Sequence, residues 1–173
     1  GTIAKKLGDD AVADLVIETD EGPSLIPAHP GLDTLDSDLG NIDDARERYT
    51  RLEQFLDDYV DPLDYDVVLI DLPGMTNNVT YNGLWAARHA ITPVEMGPFE
   101  AEQADALRRD LEKIAENFSV DIELSLVLPN KVDTRTNLAE EYLSSFETEY
   151  SDSIAPDYVP YSQDIRNAAQ RGS

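Results

Sequence analysis

Short apolar runs alternate with stretches of helical periodicity through most of this chain, and that alternation restricts the folds open to it. In YDVVLID (Tyr65–Asp71) four apolar residues, Val67 to Ile70, stand together, so the strand it predicts is apolar on both faces. A strand of that kind belongs inside a parallel sheet rather than at a half-solvated surface. HAITPVEM (His89–Met96), IELSLVLPN (Ile122–Asn130) and the short DYVP (Asp157–Pro160) read as further strands. Between them the spacing predicts helices over 77–88, 100–117 and 138–150, the second with Leu107, Leu111, Ile114, Ala115 and Phe118 on one face. An earlier helix is expected after Ile42, where Ala45, Tyr49, Leu52, Phe55, Leu56 and Tyr59 recur at helical spacing. Asp43 and Asp44 fall in its first turn, where negative charge suits the helix dipole. Residues 1–42 are turn-rich, with apolar segments at PSLIPA (Pro23–Ala28) and DLVIET (Asp14–Thr19). The fold class is therefore α/β, a mostly parallel, doubly wound sheet flanked by helices and joined by right-handed crossovers. Ligands of such sheets sit beyond the carboxyl ends of the strands, which singles out Asp71, Asn130 and Pro160.

With 173 residues the chain has the length of one ordinary domain, and 41% hydrophobic residues can build a core. The charge is extreme: 36 acidic against 13 basic residues, a formal net of -23. Four of the basic residues are lysines (Lys5, Lys6, Lys113, Lys131) and nine are arginines. Acid spread along the whole chain with scarce lysine is expected of a protein adapted to high salt, where the Debye length falls to ~3 Å at molar ionic strength. The alternative is an acidic interaction surface, although no block of acid stands apart from the apolar pattern. The acids between Glu100 and Glu116 and between Glu140 and Glu149 read as solvated faces, and Trp85 and Phe99 as core. Without cysteine there is no disulfide, thiolate metal site or cysteine nucleophile, and His29 and His89 lack metal-ligand spacing. No run approaches the ~18 apolar residues of a membrane-spanning helix, and GTIAKKLGDD does not read as a signal peptide. A cytoplasmic protein is expected, with the sequon Asn78-Val79-Thr80 serving to start a helix rather than to carry a glycan.

Two strand ends carry suggestive chemistry. Asp71 closes an apolar run where a phosphate-bound magnesium would lie, and a carboxylate there can hold that ion through its water shell. Pro73 and Gly74 would then let the chain turn sharply and approach a terminal phosphate closely. The alternative for Asp71 is a cap on the next helix. Asn130-Lys131-Val132-Asp133 has the NKxD form with which GTPases read guanine, the aspartate accepting two hydrogen bonds from the base, and it lies about sixty residues after Asp71. The alternative here is a solvated turn, since Asn, Lys and Asp are common turn residues.

Several consecutive segments resemble the ParA/MinD family of deviant-P-loop ATPases, which partition plasmids and chromosomes or position the division site. PSLIPAHPGLDTLDSDL (Pro23–Leu39), YDVVLIDLPGMTNNVTYNGLWAARHAITPVEMGPFE (Tyr65–Glu100), LVLPNKVDTRTNLAEEYL (Leu126–Leu143) and VPYSQDIRNAAQRGS (Val159–Ser173) are similar, in order, to segments of that family. The resemblance implies a P-loop NTPase-like fold, with ATP and magnesium as cofactors. It implies that Asp71 is the Walker B aspartate holding magnesium through water, and that Pro73 and Gly74 follow it toward the phosphates. Asn130 would contact the base, and the backbone around Pro160 would line the adenine pocket. Asp133 leaves the choice of base open, because the NKVD run is compatible with either family. Arg135, Thr136 and Asn137 match the family's RTN turn, a surface or dimer position. The resemblance further implies a nucleotide-dependent homodimer, a centromere-binding or activator protein as partner, and non-specific DNA binding, for which Arg166 and Arg171 are the candidate positions. The net charge opposes phosphate contacts, so DNA binding comes from the resemblance and not from this surface.

The sequence departs from the family at both ends. The KGGxGKT phosphate loop with its lysine, and the segment that orients the attacking water, do not occur in residues 1–173, and the chain stops before the family's last strand and helix. The expectation is a single ParA/MinD-like nucleotide-binding domain over 1–173, incomplete at both ends, whose catalytic residues cannot be named. Residues 1–173 alone are expected to show no ATPase turnover, because the missing loop supplies most of the charge stabilisation in phosphoryl transfer. Two alternatives stand beside this reading: a GTPase-like relative using Asn130 and Asp133 for guanine, and a non-catalytic interaction domain.

Overall fold

A computed structural model describes residues 15–20, 22–28, 30–74, 77–95, 97–135 and 137–162, which form two compact units that meet in sequence between Arg88 and His89. In the first unit the two early apolar segments pair with each other. Ile17 and Leu25 exchange backbone hydrogen bonds of 2.8 and 2.9 Å in an antiparallel bridge. Gly22 turns the chain between them at φ +111°, a conformation open to glycine at little cost. A 3-10 turn at Pro30–Thr34 then leads into helix α1 (Leu35–Gly40), which buries Leu39.

The helical path expected after Ile42 is present but broken. It runs as α2 (Ala45–Tyr49), α3 (Arg51–Phe55), a π turn at Leu56–Val60 and a 3-10 turn at Asp61–Leu63. Asp44 is the N-cap of α2, its carboxylate accepting from the Glu47 amide at 2.7 Å. The break has an identifiable cause in α4 (Asn78–Ala87). In an unbroken helix the Leu52 amide would donate to the Arg48 carbonyl, four residues back. Instead Asn82 inserts its side chain between them: Oδ1 accepts from the Leu52 amide at 3.2 Å and Nδ2 donates to the Arg48 carbonyl at 3.0 Å. A side chain inserted into the ladder is a known cause of helix kinks, and it leaves both backbone groups satisfied beside a side chain that is 4% exposed. Asn82→Asp keeps the shape but removes the donor and buries a charge against a carbonyl. That variant is expected to lose about 3 kcal/mol or more of stability by urea unfolding, whereas a loss within a few tenths would mean that the insertion is incidental.

Helix α4 itself begins as expected, with Asn77 as its N-cap, accepting from the Thr80 amide at 2.9 Å. Asp36 accepts from the Asn78 amide at 2.7 Å and ties α1 to the start of α4. Trp85, 2% exposed, donates its Nε1–H to Glu53 at 3.2 Å and lies under the Arg88 guanidinium, 5.2 Å from the ring centre. Arg88 also pairs with Glu53. Trp85 is thus core, as expected, whereas the side chain of Phe99 lies outside the described residues.

The expected strand over Tyr65–Asp71 is not formed. The segment is irregular and joins no ladder among the described residues, and Val67 and Leu69 are 73% and 86% exposed. A two-faced apolar strand is buried only with partners on both edges. The described ladders hold none for this segment, which leaves the Val67 and Leu69 face the more exposed, while Ile70 is part-buried. Leu72 is the exception in this neighbourhood: it packs so close to the backbone of α4 at Gly83 that a β-carbon there would collide with its Cδ2. Glycine at Gly83 therefore permits the approach that anchors the chain just after Asp71.

The second unit is a parallel sheet flanked by helices. Strand β1 (His89–Glu95) pairs in parallel with β2 (Glu123–Asn130), with a bulge between Ala90 and Ile91. Helix α5 (Pro98–Phe118) makes the crossover between them, and α6 (Asn137–Glu149) follows β2. The expected final strand at 157–160 is reduced to bridges on the far edge of β2. Ser153 and Ala155 bond to Val127, and Val159 and Tyr161 to Pro129 and Val132, with isolated parallel bridges Val127–Ile154 and Val132–Pro160. β2 is therefore flanked on both edges, and Val127 has no exposed surface. Leu111, Ile122, Leu124, Phe146 and Tyr150 complete the core of this unit.

The titration of buried Tyr150 has a geometric cause. Its hydroxyl donates to Asp105 Oδ1 on α5 at 3.1 Å, and the ring lies 5.4 Å from the Arg108 guanidinium. Burial, reinforced by the Asp105 charge, pushes the phenol up to about 12. An unfolded tyrosine ionises near 10, so above that pH the unfolded chain gives up a proton that the native chain keeps. Stability is then fully present below pH ~10 and falls between pH ~10 and ~12, by on the order of 2 kcal/mol. Tyr150→Phe is expected to flatten that decline, and urea midpoints measured from pH 9 to 12 decide it. An unchanged slope would show that Tyr150 is not the group responsible.

Candidate functional site

The carboxyl end of β2 gathers three of the residues the sequence singles out. Glu95 and Asn130 are register partners, so β1 and β2 end level with each other. Asn130 Oδ1 accepts from the next amide, Lys131 N, at 3.0 Å. That contact holds a turn in which Lys131 takes φ +52°, and the lysine reaches back to pair with Glu95 across the strand ends. Val132 re-enters the ladder: it donates to the Val159 carbonyl at 3.1 Å and accepts from Tyr161 at 3.0 Å. These bonds fix the backbone of Pro160 beside the turn. Asn130, Asp133 and Pro160 thus surround one corner, at the end of the sheet where open α/β folds bind ligands.

The donor set suits a purine. Asn130 is half-buried, and with Oδ1 engaged on Lys131 its Nδ2 amide meets no acceptor among the described residues, leaving a donor for a ring-nitrogen acceptor such as that of adenine. Asp133 is engaged differently. Arg135 grips it through a fork, Nε to Oδ1 at 2.7 Å and Nη2 to Oδ2 at 2.6 Å, with its own amide adding a third bond at 3.1 Å. The Arg135 side-chain and backbone hydrogen bonds hold the Asp133 carboxyl down to about 2, so it is ionised at all ordinary pH. The side-chain hydrogen bond to Asp133, with the Asp133 charge, raises the Arg135 guanidinium in turn.

Asp71, Pro73 and Gly74 lie in the first unit. Asp71 is exposed and follows the open apolar run. It does not cap the next helix, a task that Asn77 performs. A lone accessible carboxylate fits an ion that keeps most of its waters, as magnesium does. Among the described residues no group of three or more acids or histidines converges on a direct metal cage. Gly74 is not in the left-handed region, and a β-carbon there would meet nothing within 4 Å, so the sharp turn expected of it is not what requires glycine. The open space leaves room for a ligand to approach the backbone. Arg166 and Arg171 lie outside the described residues.

Several features of this surface were not anticipated. The Lys131–Glu95 pair depends on register between strands thirty-odd positions apart, which no local pattern reveals. The Arg135 fork could have been suspected from the Asp-Thr-Arg spacing alone. Ion pairs also engage Arg51 with Glu47, Arg88 with Glu53, Arg108 with Asp105 and Lys113 with Asp110. The described cations are thus spread among acids rather than gathered in a basic stripe. No helix among the described residues is long and apolar enough to cross a membrane.

The parallel sheet with its helical crossover, together with the solved structures it resembles, defines the fold class as P-loop NTPase-like. The family profile AAA_31, described as an AAA domain, matches residues 2–124. The chain is 26% identical over 167 residues to the chromosome partitioning protein ParA of Caulobacter vibrioides, covering 96% of this chain and 61% of that protein. It is 26% identical over 129 residues to the chromosome-partitioning ATPase Soj of Treponema pallidum, covering 75% and 50%. The chain therefore spans between half and about three fifths of the length of these curated relatives. Among solved structures it matches the ATP complex of Cyanothece McdA(D38A), with TM-score 0.77 and 16% identity over 98% of this chain and 65% of that one. It also matches cobyrinic acid a,c-diamide synthase from Mycobacterium smegmatis with bound ADP and magnesium, with TM-score 0.73 and 23% identity over 94% and 71%. These two likenesses concern the fold. The chain belongs to the AAA_31 family and groups with its ParA and Soj relatives in the ParA/MinD family.

Proposed function

We propose that this chain is part of an ATP-dependent partitioning or positioning protein, and that the Asn130 corner is where it meets the base of the nucleotide. The observation that carries this reading is the convergence of Asn130, Asp133 and Pro160 at the carboxyl end of β2, where the Asn130 side-chain amide is uncommitted among the described residues. In this reading Asn130 donates to adenine and the Val159–Tyr161 backbone supports the ring. Asp71 holds magnesium through water, and Pro73 and Gly74 leave the phosphates room. Magnesium, when bound with a nucleotide, neutralises charge on its phosphates. The names of the relatives, chromosome partitioning among them, support the cellular role, and the nucleotides in the solved structures support ATP with magnesium. Nucleotide-dependent dimerisation, an activating or centromere-binding partner and non-specific DNA binding belong to the same proposal, as does a cytoplasmic, high-salt setting.

Thermal unfolding in molar KCl with magnesium tests the core of this. ATP is expected to raise the midpoint, Asn130→Ala to abolish the gain, and Asp71→Asn to remove its dependence on magnesium. ATP that leaves the midpoint unmoved at millimolar concentration would defeat the nucleotide reading, and a larger gain with GTP would defeat the adenine assignment.

A further inference from the structure

The NKVD run poses a question that the proposed function leaves open, namely why a guanine-type aspartate should stand in an adenine-type corner. The Arg135 fork supplies an answer. A guanine edge would present Asp133 with two neighbouring N–H donors, one for each carboxylate oxygen. The Arg135 guanidinium presents the same pair, Nε to Oδ1 at 2.7 Å and Nη2 to Oδ2 at 2.6 Å. Planar fork-to-carboxylate pairing of this kind is a geometry that arginine makes and lysine cannot. Arg135 is moreover placed by its own backbone, because its amide also donates to Oδ1. With both oxygens engaged, the lone pairs directed along a guanine edge are taken, while the Asn130 amide stays open.

We propose that Arg135 is a specificity-determining residue, which by holding Asp133 in a fork keeps the corner from accepting guanine and so favours adenine. The inference rests on the nucleotide reading of the preceding section. Arg135 itself is 79% exposed, touches no base in this scheme, and acts through Asp133. Exposed pairs are weak, so the effect is a bias and not an absolute gate.

The test is a set of NMR titrations of the chain with ATP and with GTP, in magnesium and molar KCl, giving the ratio of the two dissociation constants. Arg135→Ala is expected to shift that ratio toward GTP by roughly two- to fivefold. Arg135→Lys, which keeps the charge but not the fork, should shift it nearly as far. Adding Asp133→Asn to Arg135→Ala should cancel the gain, because the carboxylate that accepts guanine is gone. A role for Arg135 in merely holding the turn would weaken both nucleotides alike, leave the ratio still, and overturn the proposal. If the parent chain binds ATP but Arg135→Ala leaves the ratio unchanged, the specificity role fails while the nucleotide reading stands. If no variant binds either nucleotide, the nucleotide reading fails and this inference with it.

Discussion

Replacing Phe146 with alanine is expected to remove about 3–5 kcal/mol from the stability of the unit that begins at His89. Phe146 is among the largest side chains in the structure with less than 2% of their surface exposed. It sits on α6 and stacks on Tyr150 one turn later, ring centres 5.5 Å apart and planes 21° from parallel. Truncation would cost the transfer energy of a phenyl ring and the cavity left behind, and it would also unseat Tyr150, whose hydroxyl ties α6 to Asp105 on α5. Whole domains are stable by only ~5–15 kcal/mol, so the variant should be largely unfolded at temperatures where the parent is native. Phe146→Leu fills most of the volume and should recover more than half the loss. Urea unfolding followed by circular dichroism decides the matter, and an alanine variant within 1 kcal/mol of the parent would show that α6 does not depend on this contact.

Raising the salt concentration should have an effect of similar size and opposite sign. A formal charge of -23 on 173 residues places many carboxylates close together. The structure puts acids on the open faces of both long helices of the second unit, with Glu102, Glu112 and Glu116 on α5 and Glu140, Glu141, Glu147 and Glu149 on α6 all exposed. Their mutual repulsion destabilises the compact state at low ionic strength. Between ~0.1 M and ~1 M salt the Debye length falls from ~10 Å to ~3 Å, which screens all but near neighbours. A gain of a few kcal/mol is expected, or about 10 °C in the midpoint for a chain of this length. Sucrose at matched osmolality should give less, because it excludes itself from the surface without screening charge. A midpoint that is flat or falling in KCl would refute the high-salt account of the composition.

How legible the chain was depended on whether an element could be completed by its own neighbours. The helices over 78–87, 98–118 and 137–149, and the strands β1 and β2, lie within a residue or two of where apolar spacing placed them. Their caps and amphipathic faces are local properties. The path after Ile42 was legible as helical but not as broken, because the break comes from Asn82, thirty residues on, whose amide splits the Leu52–Arg48 bond. Tyr65–Asp71 was misjudged for the opposite reason. Its residues suit a buried strand, but a strand needs partners, and the described ladders provide none. In the candidate site the strand-end rule located Asn130 and Pro160, since register and crossover geometry follow from the α/β pattern. It could not reveal that Asp133 is already engaged, because that depends on the rotamer of Arg135.

The central claim is that the end of β2 is a base-binding corner, and residue-resolved NMR tests it most directly. The amide spectrum of the chain would be followed during titration with ATP and magnesium in molar KCl. The account predicts that the largest shifts fall on Asn130–Asp133 and on Val159 and Tyr161, with the Asn130 side-chain amide among them, and that Asn130→Ala removes them. Shifts confined to other surfaces, or a corner that stays still while ATP binds elsewhere, would contradict it.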